Sequence, residues 1–160
     1  MKLKAPIMPC LWFDGNAEEA AKFYTSIFAD SKITNISHYP SEGQDKHGSE
    51  PGKVMTVIFE LGGQKFMGLN GGPHFKFSEA ISMCIMCDTQ EEIDYFWDAL
   101  TADGGHEVEC GWLKDKFGLS WQVVPANIAE LIGGDPARSS RVMQVVMSSK
   151  KLNIAAMEAA

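Results

Sequence analysis

With 160 residues, 45% of them apolar and 22% charged, the chain has the composition of one folded domain able to bury a hydrophobic core. Its formal net charge of -7 excludes an ordinary nucleic-acid binder, because neutralising phosphates takes clustered Lys and Arg, and the only adjacent basic pair is Lys150-Lys151. No stretch approaches the roughly 18 apolar residues of a membrane span, and the charged start Met1–Pro6 leads into no signal-peptide core, so a cytoplasmic protein with no membrane or nucleic-acid partner is expected.

In chain order, Leu11-Trp12-Phe13 reads as a strand ending at Asp14, which is expected to accept hydrogen bonds from the free N–H groups of the helix that follows. Glu18-Glu19 place negative charge near the positive end of that helix. Ala20, Phe23, Tyr24, Ile27 and Phe28 recur behind them at helical spacing as core residues. Lys32–Tyr39 forms a strand, 40–52 a polar loop and Lys53–Glu60 a second strand. Gly62-Gly63 then turns the chain into the hairpin partner Gln64–Asn70.

A linker over 71–79 leads to a second copy of the pattern. Ile81–Cys87 reads as a buried strand, Asp88 as the counterpart of Asp14, Glu91-Glu92 as the acidic first turn, and Ile93, Phe96, Trp97 and Leu100 as the core stripe. Gly104-Gly105 ends this helix; His106–Cys110, Trp112–Lys114 and Leu119–Val124 are the strands after it. The tail over 126–160 lies outside the repeat: a short helix over Ala126–Ile132, Asp135 as an N-cap with Pro136 in the first turn, an amphipathic helix over Arg138–Ser148, and a turn or two over Ile154–Ala160. The organisation is one domain, with modules at 1–70 and 80–125. Cys84 and Cys87 form a C-x-x-C, but inside a strand their side chains face opposite sides, and the four cysteines read as structural thiols.

Two βαβββ modules in so short a chain resemble the vicinal oxygen chelate superfamily, which includes glyoxalase I, bleomycin-resistance and extradiol dioxygenase proteins. Within it the chain is similar to the PhnB-like group labelled 3-demethylubiquinone-9 3-methyltransferase domains. The residues that carry the resemblance are Leu11–Gly15 with Glu18-Glu19-Ala20 and Phe23-Tyr24, Leu69–Phe77, Cys110–Pro125, and Arg141-Val142-Met143 before Lys150-Lys151. The resemblance implies an α+β fold in which two modules form curled mixed sheets around a cup, followed here by C-terminal helices. It also implies a small-molecule ligand in that cup and a homodimer.

In the superfamily's metalloenzymes, His, Glu or Gln ligands stand on the first and last strand of each module. The first-strand position, seven residues ahead of the turn Asp, falls on Ile7 and Ile81. The last-strand position falls on Met67 or Gly68 and, after the turn Asp115-Lys116-Phe117-Gly118, on Gln122. One amide does not hold a divalent cation, so no metal is expected. No strand–GxGxxG–helix cradle for a methyl donor occurs either, and no cofactor is expected. The candidate catalytic residues are His74, as a base or hydrogen-bond donor in the linker, and Gln122. Trp12, Phe59, Met67, Asn70, Phe75 and Trp112 are expected to contact a small aromatic or lipophilic ligand. A Cys110 nucleophile would need His74 or another base beside it, and His38, His47 and His106 read as surface residues. Two competing readings are a divalent-metal lyase or dioxygenase and a non-catalytic sequestering protein of the resistance type.

Overall fold

The computed structural model describes residues 7–160, with every side chain there except that of Lys46; the expected leaderless start Met1–Pro6 lies outside the described residues. The chain divides into two compact units between Lys76 and Phe77, inside the expected linker.

The first unit contains β1 (Cys10–Phe13), α1 (Ala17–Ile27), β2 (Lys32–His38), the one-turn α2 (Gln44–His47), β3 (Val54–Leu61) and β4 (Gln64–Asn70). Its sheet has the order β1-β4-β3-β2, with β1 parallel to β4 and the other pairs antiparallel. The Gly62-Gly63 turn sets Leu61 opposite Gln64, and hence Phe59 opposite Phe66 and Ile58 opposite Met67. Because side chains alternate across a strand, Leu11, Phe13, Val57, Phe59 and Phe66 share one face and are buried. Ala17, Ala20, Ala21, Tyr24 and Ile27 of α1 pack over them; the rings of Tyr24 and Phe59 lie 6.0 Å apart, and those of Phe59 and Phe66 stack at 5.5 Å. Gly68 lets the helix come this close, since a Cβ there would sit 3.1 Å from that of Ala17.

The second unit repeats the topology with β5 (Ser82–Cys87), α3 (Gln90–Thr101), β6 (His106–Glu107), β7 (Trp112–Lys114) and β8 (Ser120–Pro125) in the order β5-β8-β7-β6, β5 parallel to β8. Leu113, Trp121 and Val123 are buried toward Ile93, Trp97 and Leu100 of α3. The tail forms α4 (Ile128–Gly133), α5 (Pro136–Met147) and α6 (Ile154–Glu158). Asp135 caps α5 through the Arg138 N–H at 2.9 Å, with Pro136 in the first turn as expected. Val124, Leu131, Val142, Val146, Leu152 and Met157 form the core that holds this tail. Its connecting strap is tied by the Cys110 and Gly111 N–H groups to the carbonyls of Ser149 and Lys150, and by Gln90 to the backbone of Leu152 and Ile154.

Several expectations are corrected. Asp14 is exposed and does not cap α1; the N-cap position is Asn16, whose side chain caps nothing, and the Ala17 N–H is taken by Asn70 Oδ1 from β4 at 2.9 Å. Asp88 does not cap α3: Thr89 does, in a reciprocal capping box with Glu92. The helix before Gly104-Gly105 ends earlier, at Thr101, through a 3₁₀ turn over Ala102–Gly104. The strand expected over His106–Cys110 keeps only His106–Glu107, because the chain turns through Cys110 at φ 62° to meet the strap. The run Ile81–Cys87 is not buried on both sides: Cys84 is exposed and Met86 is 53% exposed on the face that α3 does not cover, and Ile81, ahead of the strand, is 55% exposed.

Asn70 is the buried link between strand, loop and helix. Oδ1 accepts from Ala17, Nδ2 donates to the Val54 carbonyl at 3.0 Å, and the Asn70 carbonyl accepts from the Tyr39 hydroxyl. Asn70→Ala leaves two backbone groups unpaired, and urea unfolding is expected to show a loss of about 3 kcal/mol. The strap has a pH signature. A hydrogen bond from Gln90, then the Lys151 ammonium at 3.2 Å, hold the Asp94 carboxyl below its usual range. Its contribution is therefore present above the ordinary Asp range and is lost as pH falls through the lowered value. The protection factors of the amides over 149–154, taken as the observed exchange against the intrinsic rate at each pH, are expected to fall on acidification in the native protein, and less so in Lys151→Met, whose strap already lacks this pairing.

Candidate functional site

In each unit the face opposite the long helix carries the side chains not committed to the core. In the first these include Cys10, Trp12, Met67, Leu69, Thr56 and Ile58, placed together by the register of β1, β4 and β3. Trp12 Nε1 donates to the Gly72 carbonyl at 2.8 Å, and its ring meets Phe75 edge-on at 4.8 Å. Gly71 lies directly against the indole, where a Cβ would come within 2.2 Å of a ring atom. Phe75 remains 65% exposed beside this contact, and His74 is exposed on the turn between them. Trp12, Met67, Phe75 and His74 thus belong to one surface region of the unit. Phe59 does not: it lies in the core under α1. Both polar side-chain atoms of Asn70 are already engaged, so it supports the corner rather than offering free groups.

Sequence reasoning missed a cleft of about 400 Å³ beside this corner, lined among others by Asp14, Glu18, Glu50, Lys53 and Asn70. Two of its carboxylates are paired, Glu18 with Lys22 at 2.7 Å and Glu50 with Lys53 at 2.9 Å. His47, expected at the surface, is half-buried. It stacks on Tyr39 with centroids 4.6 Å apart, and its Nδ1 accepts the Ser49 N–H at 3.1 Å.

In the second unit the register places two rows side by side on the face opposite α3. Ser82, Ser120 and Lys114 form one, and Cys84, Gln122 and Trp112 the next. Gln122 is half-buried and donates from Nε2 to Ser82 Oγ at 2.9 Å. Lys114 pairs with Glu79, whose carboxyl is held below its usual range by the hydrogen bond from that ammonium. Ser120 is fully buried, and its hydroxyl has no hydrogen-bond partner among the described residues. Ser82, Ser120 and Lys114 were not singled out from the sequence, although the alternation that points Gln122 to this face also points Ser120 there. Trp121 faces the other way and donates from Nε1 to the buried Asp115 at 2.8 Å.

The four cysteines are free thiols. Cys110 packs against the tail core, so a nucleophilic role has no support from its surroundings. Burial pushes the Cys10 and Cys84 thiols up, and it raises Cys87 to about 11 with help from Glu92 and Asp88.

Two four-stranded mixed sheets of βαβββ order, each with one long helix packed on it, define a protein of the glyoxalase/bleomycin resistance-like α+β fold. Within it the chain belongs to the family described as 3-demethylubiquinone-9 3-methyltransferase, whose model it matches over residues 5–124, leaving the helical tail outside the match. A PhnB protein from Bacillus cereus that shares the family description is 36% identical with a TM-score of 0.65, over 75% of this chain and 99% of that one. The Pseudomonas aeruginosa protein PA1353 is 21% identical with a TM-score of 0.58, over 76% and 98%. The fosfomycin resistance protein FosX of Listeria monocytogenes, solved with Mn(II) and sulfate, is 13% identical with a TM-score of 0.52, over 81% and 95%, a likeness of fold. No curated protein matches the chain.

Neither group suggested by these relationships fits the residues present. At the superfamily's metal positions stand Ile7 and Ile81, 81% and 55% exposed and without donor atoms, Met67 or Gly68, and Gln122, whose amide already bonds Ser82. Among the described residues no three His, Cys, Asp or Glu side chains are grouped to hold a metal ion. A methyl-donor cradle would occupy a glycine-rich strand-to-helix turn, but those turns are Asp14-Gly15-Asn16 and Asp88-Thr89. Thiol-specific labelling of the native protein is expected to modify the exposed Cys10 and Cys84 first and to reach the buried, high-pKa Cys87 only on unfolding; mass mapping of the labelled peptides checks the order.

Proposed function

We propose that this protein binds a small, largely apolar molecule on the open faces of its sheets and does so without a divalent metal. The observation that carries the reading is the chemistry at the metal positions, where aliphatic side chains and one engaged amide replace imidazoles and carboxylates. The half-buried Trp12 and Met67 of the first unit, and Trp112 beside Gln122 in the second, supply apolar area with a few fixed polar groups, the composition of ligand sites in general. Gln122, positioned by Ser82, is the candidate for orienting the ligand. For a ligand held by the first unit, His74, an exposed imidazole on the turn after β4, is the candidate for moving a proton.

The same exposed face supports a second reading, of assembly. Cys84 and Met86 lie exposed on β5, which among the described residues is an edge strand of its sheet. We infer that two copies of the chain associate, and that the protein works in the cytoplasm, where its four thiols stay reduced.

Metal content and ligand binding test the main proposal together. Mass spectrometry of the purified protein is expected to find no stoichiometric Zn, Mn, Ni or Fe, and a thermal-shift screen of quinones and aromatic compounds is expected to find a stabilising binder. Trp112→Leu should weaken that binder by about 1–2 kcal/mol while leaving the fold intact. A full equivalent of metal would overturn the metal-independent reading, and a monomeric mass at micromolar concentration would overturn the dimer.

A further inference from the structure

Resting on that reading, the structure assigns the polar row of the second unit a chemical class of ligand: we propose that Lys114, Ser120 and Ser82 bind the carboxylate of an aromatic acid whose ring lies toward Trp112. A fully buried hydroxyl without a partner is uncommon, because it has lost its water and gained nothing in return. Ser120 is such a group, at 0% exposure. It stands directly between Ser82 on one neighbouring strand and Lys114 on the other, so the three project from the same face in one line.

Their donor inventory is one-sided. Lys114 carries only donors, and the Ser120 hydroxyl has a proton to give. Ser82 Oγ already accepts from Gln122 at 2.9 Å, which leaves its own proton free to donate outward. Gln122 thereby acts as a positioning residue, fixing the Ser82 rotor. An ammonium and two hydroxyl donors along a line suit an anionic oxygen pair, and charge-assisted bonds of this kind are the strong ones.

Glu79 supports the carboxylate assignment. Its carboxylate, from the segment just ahead of β5, occupies the Lys114 ammonium. Lys114 is the more sheltered partner, with 22% of its side chain exposed against 60% for Glu79. An exposed carboxylate on a sheltered cation is replaceable by a ligand carboxylate of the same charge. The adjoining row, Cys84, Gln122 and Trp112, is mainly apolar, so the ligand's body is aromatic rather than a second charge. This donor row stands beside the position where the superfamily would place a metal ligand, and it offers positive charge and protons in place of a cation.

Calorimetric titration of the full-length protein with naphthoate, its neutral isostere naphthylmethanol, and inorganic phosphate provides the test. Naphthoate should bind at least about tenfold more tightly than naphthylmethanol, the worth of one charge-assisted bond. Lys114→Met should erase that preference. Ser120→Ala should weaken naphthoate severalfold without lowering the melting temperature of the free protein, since the hydroxyl it removes is unpaired. Glu79→Gln, which removes the internal competitor, should tighten naphthoate binding severalfold. Equal affinity for acid and alcohol, or an acid preference that survives in Lys114→Met, would overturn this assignment while leaving small-molecule binding in place. Phosphate binding to Lys114 in preference to naphthoate would also overturn it. Failure of both aromatic compounds to bind the native chain would overturn the broader reading and this one with it.

Discussion

A four-stranded sheet has two faces, and in each unit of this protein a single long helix covers one of them. Everything else in the structure follows from how the remaining face is used. Under α1 and α3 the strands place their largest apolar side chains, Phe59 and Phe66 in one unit, Leu113 and Trp121 in the other. Burying such residues is worth about 1.5–3 kcal/mol each, enough to fix the alternation of every strand. A slip by one residue would exchange the core face for the open one. The open faces inherit what is left: Trp12, Met67, Gln122, Trp112 and the hydroxyl and ammonium groups beside them. The tail relieves the constraint only locally, at Val124, where it builds a second core.

The two units obey the same topology but meet the same local demand with different chemistry. A helix that follows a strand after a short turn presents N–H groups that must find acceptors. In the second unit the solution is local, with Thr89 and Glu92 three residues apart. In the first it is remote, because Asn70 reaches the helix from the neighbouring parallel strand, 53 residues away. The repeated Asp in the sequence therefore signals the turn correctly and the cap incorrectly. A capping box is visible to a local pattern. A cap borrowed across a sheet depends on β1 and β4 lying side by side, which no local pattern contains.

The same distinction governs what was legible elsewhere. The presence and order of the helices, the hairpin at Gly62-Gly63 and the βαβββ order could be taken from periodicity and turn chemistry, because each is decided within a few residues. The burial of β5 could not, since Ile81–Cys87 is apolar on both sides and only the number of covering layers reveals that Cys84 and Met86 are exposed. Phe59 is more instructive, because the information was present. A two-residue turn at Gly62-Gly63 sets Phe59 opposite Phe66 and Ile58 opposite Met67, so Phe59 and Met67 cannot share a face. Hydrophobicity suggested a common pocket where hairpin register excludes one. Gln122 shows the converse: its orientation follows from alternation with Trp121, and Ser120 follows from it by the same step.

The open face of the second unit also indicates how this fold can serve anionic ligands with different equipment. A divalent ion concentrates two charges at a point and demands several hard or imidazole donors around it. Lysine offers one charge on a flexible stem and needs only a single partner to remain folded over the sheet. That partner is Glu79, an exposed residue outside the sheet, so the cation is held without being consumed by the core. Taking an isolated charge out of water is costly unless it is paired, and the Lys114–Glu79 pair meets that cost in the free protein. Ser82 and Ser120 require no compensation of comparable size. The proposed site would give up the polarising strength of a metal ion and gain independence from metal supply, with its selectivity resting on hydrogen-bond direction and on the aromatic surface of Trp112 alongside.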